Sequence, residues 1–208
     1  MENLRPDRKN HILDVAQKLF SKYGFDGATT RMISREAGVN LAMLNYYFGS
    51  KEGLFLAIFE RKIISFPQCL HCIGFNEDLT TWEKLAKCID KVVESIIIND
   101  SFQELINREL VIQKRWAVND KIAKVIMKNV YEVKMIIDEG VKNGHFNQDA
   151  DTAMLTATLF GTKNYIMNIP HLSSLIIGND VGNQRFLEEK LKPRIKVHIK
   201  KLFKAYLL

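Results

Sequence analysis

The sequence has no apolar run near the roughly 18 residues that a membrane-spanning helix requires. Its opening stretch, MENLRPDRKNH, lacks the apolar core of a secretory signal, so a cytoplasmic protein is expected. Cysteine is scarce. The three present, Cys69, Cys72 and Cys88, are an odd number, which argues against a disulfide framework. Cys69 and Cys72 have CxxC spacing around His71, but four-ligand zinc needs a second pair, and a thioredoxin-like site needs a strand-helix context. Neither is visible, so reduced structural thiols are expected, with no metal and no cofactor. No nucleophile–base–orienter set stands out, and an all-α enzyme is therefore the remotest reading, with no catalytic residue assigned. The period-two alternation of strands does not persist anywhere, and internal repeats and low-complexity runs are missing too.

Apolar residues, by contrast, make up 47% of the 208 positions, enough for a well-buried core in one or two domains. Charged residues stand at 26%, near the globular average. The net charge of +6 is unevenly placed. Residues 1–62 carry ten Lys/Arg against seven Asp/Glu, residues 63–183 twelve against fifteen, and residues 184–208 eight against two. Most of the basicity lies at the C-terminal end, so charge alone is weak evidence for a nucleic-acid partner.

Helical periodicity runs almost throughout. Ile12, Val15, Ala16, Leu19, Phe20 and Tyr23 form an amphipathic stripe that Gly24 can end in the left-handed conformation, with Phe25 folding back. Thr29 can cap a second helix ending at Gly38, Asn40 a third over residues 41–48, and Ser50 a fourth running to about Phe66, where Pro67 stops it. Residues 67–78 look irregular. Helices are expected over Thr81–Ile98, Phe102 to about Ala117, Asp120–Asn143 and Ala150 to about Asn168. Residues 171–182, rich in Ser, Gly and Asn, read as loop with room for one short turn of helix, and a last helix runs from about Gln184 to Ala205 with a kink at Pro193. The expected fold is all-α.

Three short helices within about 45 residues, the last two joined by a tight Gly-containing turn, match the helix-turn-helix unit, here about residues 29–48. Ala37 and Gly38 are small where the second and third helices cross. Ile33, Val39, Leu44 and Phe48 are spaced to face the first helix. Leu41, Ala42, Asn45 and Tyr46 then face outward, toward a major groove that admits one helix. Thr29 and Thr30 lie at a helix N-terminus suited to a phosphate. Tyr47 and Lys51 flank the far end of the third helix, and Arg31 can reach a guanine edge or a phosphate.

The stretch TTRMISREAGVNLAMLNYYFGSKEGLF resembles the helix-turn-helix signature of the TetR/AcrR family of regulators. The matching positions are Thr29, Ile33, Ala37-Gly38-Val39, Tyr46-Tyr47-Phe48 and Ser50-Lys51-Glu52. The resemblance implies backbone contacts from Thr29, Tyr47 and Lys51, and base reading from Arg31, Leu41, Ala42, Met43, Asn45 and Tyr46. Thr30 and the cap residue Asn40 complete the candidate DNA-binding set. Asn45 departs from the Tyr common at its position, so no operator sequence carries over; Asn can bond an adenine edge in bidentate fashion.

The family further implies two domains: a DNA-binding domain over residues 5–66 and a helical effector-binding and dimerisation domain over 67–208. Its last two long helices would pair two copies. In the last helix Leu187, Leu191, Ile195, Ile199 and Leu202 form the candidate stripe, although a kinked basic amphipathic helix can also lie on a membrane surface. Candidate pocket residues are Phe102, Trp116, Met127, Tyr131, Phe160 and Asn164, suggesting a small, largely apolar effector. The resulting expectation is a homodimeric repressor without membrane association. It would bind a pseudo-palindrome in double-stranded DNA with its recognition helices about 34–36 Å apart, until the effector shifts the population toward release. A DNA-binding regulator with no effector is the alternative.

Overall fold

The computed structural model describes residues 5–63, 65–96, 105 and 116–208, and every regular element among them is helical. The chain is all-α. Among the described residues no helix is long and apolar enough to cross a membrane. Two compact units result, one within residues 1–64 and 100–125, the other within 65–99 and 126–208.

In the first unit, α1 (Arg5–Gly27) packs on α2 (Thr30–Glu36) and α4 (Lys51–Ile63), while α3 (Leu41–Phe48) packs on α2 and α4. Gly24, at φ 72°, interrupts α1 in the left-handed region, and the chain folds back there. Phe25 is thereby delivered to the core, stacked on Phe20 with ring centroids 5.5 Å apart. Phe55 of α4 meets both rings edge-on, at 5.3 Å and 5.1 Å. Such aromatic trios add directional packing to simple burial. Arg61 closes the far end of α4 onto α1 through a 2.8 Å ion pair with Asp14.

The second unit contains α5 (Ser65–Gly74), α6 (Thr81–Glu94), the larger part of α7 (Trp116–Lys142), α8 (Thr152–Asn168) and α9 (Pro170–Ile177). It ends with α10 (Gln184–Phe186), a π-helical turn (Leu187–Leu191) and α11 (Lys192–Leu207). The helix expected over Phe102–Ala117 lies largely outside the described residues.

Two segments read as irregular are helical. Residues 65–74 form α5 and 170–177 form α9, each with a proline in its first turn, where the missing N–H costs nothing. Ser174 bonds back to the Pro170 carbonyl at 2.8 Å, and Gly178 ends α9 in the left-handed conformation. Pro193 does not simply kink the last helix. The turn before it widens, so that the Lys192 N–H bonds the Leu187 carbonyl five residues back.

One core serves the whole second unit. It gathers Leu85, Ile89 and Val92 from α6, Val133 and Ile137 from α7, Leu159 and Ile166 from α8, and Ile199 and Phe203 from α11. Leu187, Leu191 and Ile195 belong to it as well. This corrects the expected dimer stripe. Leu187, Leu191, Ile195 and Ile199 are 7% exposed or less within a single subunit, and Leu202, at 45%, stands on a different face. A terminal amphipathic helix has to cover its apolar side, and here its own subunit does so.

Candidate nucleic-acid interface

Side-chain caps set the geometry of the α2–α3 pair. Thr29 Oγ1 accepts from the Met32 N–H at 3.1 Å, and Asn40 Oδ1 accepts from the Met43 N–H at 2.7 Å. Between the helices Gly38 turns at φ 63°, and the Val39 N–H returns to the Ser34 carbonyl at 2.9 Å. Ile33 and Leu44 are fully buried, Ile33 on the α2 that packs against α1 and Leu44 on the α3 that packs against α2 and α4; Val39 and Phe48 are only half-buried.

With Leu44 turned inward, α3 presents Leu41, Ala42, Asn45 and Tyr46 to the outside. Tyr46 is 83% exposed, its ring set edge-on against Tyr47 at 5.4 Å. The face thus offers one amide, one phenol and two small apolar groups. Those are the chemistries that read an adenine edge, a base or phosphate oxygen, and a thymine methyl. Thr29 and Arg31 are exposed, while Thr30, Met43 and Tyr47 are half-buried.

Lys51 lies at the edge where α1 meets α2. Its ammonium donates to the Asp26 carbonyl at 3.3 Å and sits 4.6 Å from the Phe25 ring centroid. Thr29, the N-cap of α2, follows Asp26 by three residues in the chain. Sequence reasoning missed Gly53. A Cβ there would be driven into the Phe48 carbonyl oxygen, so glycine lets α4 start tight against the end of α3.

The six candidate effector residues are not brought together. Phe102 and the side chain of Trp116 lie outside the described residues. Met127 and Tyr131 are 53% and 61% exposed on α7, and Asn164 is exposed on α8. Only Phe160, among those described, packs against the core. The helical period assigned inner faces to α7 and α8 that were rotated from the true ones. One polar residue that does face inward, Asn129 of α7, 8% exposed, was missed.

The thiols are free: Cys72 exposed, Cys69 half-buried, and Cys88 buried, its pKa pushed up to about 12 by burial. Among the described residues no group of three His, Cys, Asp or Glu side chains is placed to hold a metal ion.

Residues 12–58 match the family model described as bacterial regulatory proteins, tetR family. The fatty acid metabolism regulator protein of Bacillus subtilis is 23% identical over 186 residues, spanning 87% of this chain and 94% of the relative. The transcriptional repressor NicS of Pseudomonas putida is 47% identical over 60 residues, 29% of this chain and 28% of the relative. In fold, the chain resembles the regulator FadR from Bacillus subtilis, solved in complex with stearoyl-CoA. That match has a TM-score of 0.65 at 20% identity and covers 91% of this chain and 96% of the other.

Proposed function

The chain belongs to the TetR family of bacterial regulatory proteins and is a helix-turn-helix DNA-binding transcriptional regulator, and on that premise we propose a cytoplasmic, dimeric repressor released from its operator by a fatty acyl effector. The observation that carries the DNA reading is the outward set Leu41, Ala42, Asn45 and Tyr46 on a helix anchored by fully buried Leu44. In this reading Thr29, Thr30, Arg31, Tyr47 and Lys51 hold phosphates, and residues 5–66 are the DNA-binding domain. Asn40 and Met43 shape the start of α3.

Residues 67–208 take the effector and pair two copies. The acyl assignment draws on the relative whose name gives fatty acid metabolism and on the similar fold that holds stearoyl-CoA. For pairing we assign the outer face of α8, where Ala153, Ala157, Gly161 and Tyr165 are exposed, with Leu202 and Tyr206 of α11 beside it. The two helices meet where the Asp151 N–H reaches the Tyr206 hydroxyl at 3.4 Å. Small residues in succession on α8 permit close approach of a second helix.

The test selects bound duplexes from a random DNA pool, then measures mobility shifts on the winner with and without stearoyl-CoA. A pseudo-palindromic winner released by micromolar stearoyl-CoA supports the proposal. Bound DNA indifferent to the acyl compound leaves a regulator with another effector or none.

A further inference from the structure

The CxxC pair takes no part in DNA reading, yet the fold sets it at the edge of a cavity. Cys69 and Cys72 both lie on α5, three residues apart and so on one face of the helix. With Ile73, Leu79, Lys87 and Lys91 they line a groove of about 520 Å³ between α5 and α6. Cys72 is exposed, Cys69 is half-buried, and both thiols are free. Two accessible thiols one turn apart in one groove form a pair that can react in sequence.

The α6 wall of the groove carries Lys87 and Lys91, one turn apart, with Asp90 and Glu94 beside them. Both carboxylates are also engaged by cations of α11: Asp90 by Lys200 at 2.6 Å, and Glu94 by Lys196 at 3.0 Å. Lys91 is held in its charged form by Glu94 first, at 3.1 Å, and further by the charges of Cys69 and Asp90. Its ammonium is therefore near enough to Cys69 for the two to interact. A thiolate, not a thiol, attacks an oxidant, and a neighbouring cation favours the thiolate.

Cys88 of α6 is the third thiol and also lies near Cys69. It is fully buried, and burial above all pushes its pKa up to about 12. It stays protonated at neutral pH and shielded from solvent, so the reactive pair is confined to α5.

We propose that Cys69 and Cys72 are a redox site, a dithiol that hydroperoxides oxidise to a disulfide within α5, with Lys91 supporting the reacting thiolate. The exposed Cys72 meets the oxidant first. Its thiolate attacks one peroxide oxygen, the O–O bond breaks, and the other oxygen leaves with a proton as alcohol, or as water from hydrogen peroxide. Cys72 is then a sulfenic acid. The Cys69 thiolate attacks the Cys72 sulfur, an S–S bond forms, the S–O bond breaks, and water leaves. Two thiols and one hydroperoxide thus give one disulfide, one alcohol and one water, the two sulfurs losing the two electrons that the O–O bond takes up. Closure draws the two Cβ atoms from the roughly 5–6 Å of a helical turn to about 3.8 Å, so this turn of α5 has to tighten. A bridge closed against that resistance is readily reduced again by thiols.

The test treats the reduced full-length protein with hydrogen peroxide, quenches it with N-ethylmaleimide and digests it with trypsin. Both cysteines fall in one tryptic peptide, residues 63–84. The disulfide is read there as the loss of two hydrogens with no maleimide attached, and dithiothreitol should reverse it. Oxidation is expected about tenfold faster than that of free glutathione under the same conditions. Cys69→Ser should stop at a sulfenic acid on Cys72 that dimedone traps. Lys91→Gln should slow the reaction a few-fold, and Lys91→Arg should keep the wild-type rate. A Cys69–Cys88 bridge, cross-linked chains in place of the internal disulfide, or a rate no faster than that of glutathione would each overturn the site. So would a Lys91→Gln variant that reacts as fast as wild type, because the groove would then do nothing for its thiols.

Discussion

The Lys200 ammonium lies 2.6 Å from the Asp90 carboxylate, tying α11 to α6 of the same subunit. It is one rung of a ladder. Lys196 pairs with Glu94 at 3.0 Å, and Lys192, itself buried, donates to the Glu94 carbonyl at 3.1 Å. The excess of cations at the C-terminal end is thus partly spent inside the subunit. It neither extends the DNA-binding face nor leaves those lysines available to an anionic membrane surface.

Replacing Lys200 by Ala should therefore act on stability and not on DNA. Both partners are about a third exposed, which limits the loss to about 0.5–1 kcal/mol. Urea unfolding would report that loss, and the salt slope of operator binding should stay where it was. A slope reduced by about one unit would instead put Lys200 on a phosphate.

Glu94 makes the same ladder sensitive to acid. Hydrogen bonds from Lys196 and then Lys91 hold its pKa below the ordinary glutamate value. A carboxylate depressed in the folded state contributes stability that is full above its unfolded pKa, about 4.3, and is lost as pH falls through the lower folded value. Urea midpoints measured from pH 7 down to 3 should fall less steeply for Glu94→Gln than for wild type over the acid end. Parallel curves would mean that the Lys196 contact contributes nothing in solution.

Much of this architecture was legible in the sequence, because local rules decide it. Gly24, Thr29, Gly38 and Asn40 punctuate the first unit through backbone conformation and caps, and neighbouring residues suffice to see them. Pro67 and Pro170 misled for an instructive reason. Proline stops a helix that reaches it but also starts one, and only Leu70 and Ser173, buried on the new helices, reveal which applies. The stripe ending in Ile199 was correctly seen as apolar, but periodicity does not say whether the partner is α6 of the same chain or a second copy. Asn129 stayed hidden because its burial depends on helices far away in sequence.

Asn45 offers a test of base reading. It is exposed on α3, beside Tyr46, and its amide has no partner duty in capping. Asn45→Ala should weaken binding to the best operator by about 1–3 kcal/mol and relax the preference at one position of each half-site. Mobility shifts across single-base operator variants would show it. An equal loss on every variant would make Asn45 a backbone contact.

Gly53 should reverse a familiar sign. Gly to Ala inside a helix ordinarily stabilises by about 1 kcal/mol. Here the added methyl meets the Phe48 carbonyl oxygen, backbone that cannot swing aside as a side chain would. Gly53→Ala is expected to destabilise by about 1–3 kcal/mol, as overpacking does. It should also weaken operator binding, since the end of α3 carrying Tyr46 and Tyr47 must shift. Thermal unfolding and mobility shifts on one preparation check both; a stabilised variant with normal binding would show that the α3–α4 junction yields freely.

Dimerisation carries the strongest physical demand, because one eight-residue α3 reads too few base pairs to single out a site in a genome. A two-fold pair doubles the footprint and needs a self-complementary face. Leu191 is 2% exposed in the subunit core, so Leu191→Glu should unfold the subunit and say nothing about pairing. The outer face of α8 is different: a Cβ on Gly161 would meet nothing within 4 Å in a single chain. Ala157→Glu with Gly161→Glu places charges where two copies would meet, on a helix that tolerates glutamate well. Sedimentation should then find a folded monomer with unchanged helix content by circular dichroism, and its operator affinity should fall steeply. A variant that stays dimeric would move the interface off this part of α8, leaving the exposed Leu202 and Tyr206 of α11 as the face to charge next.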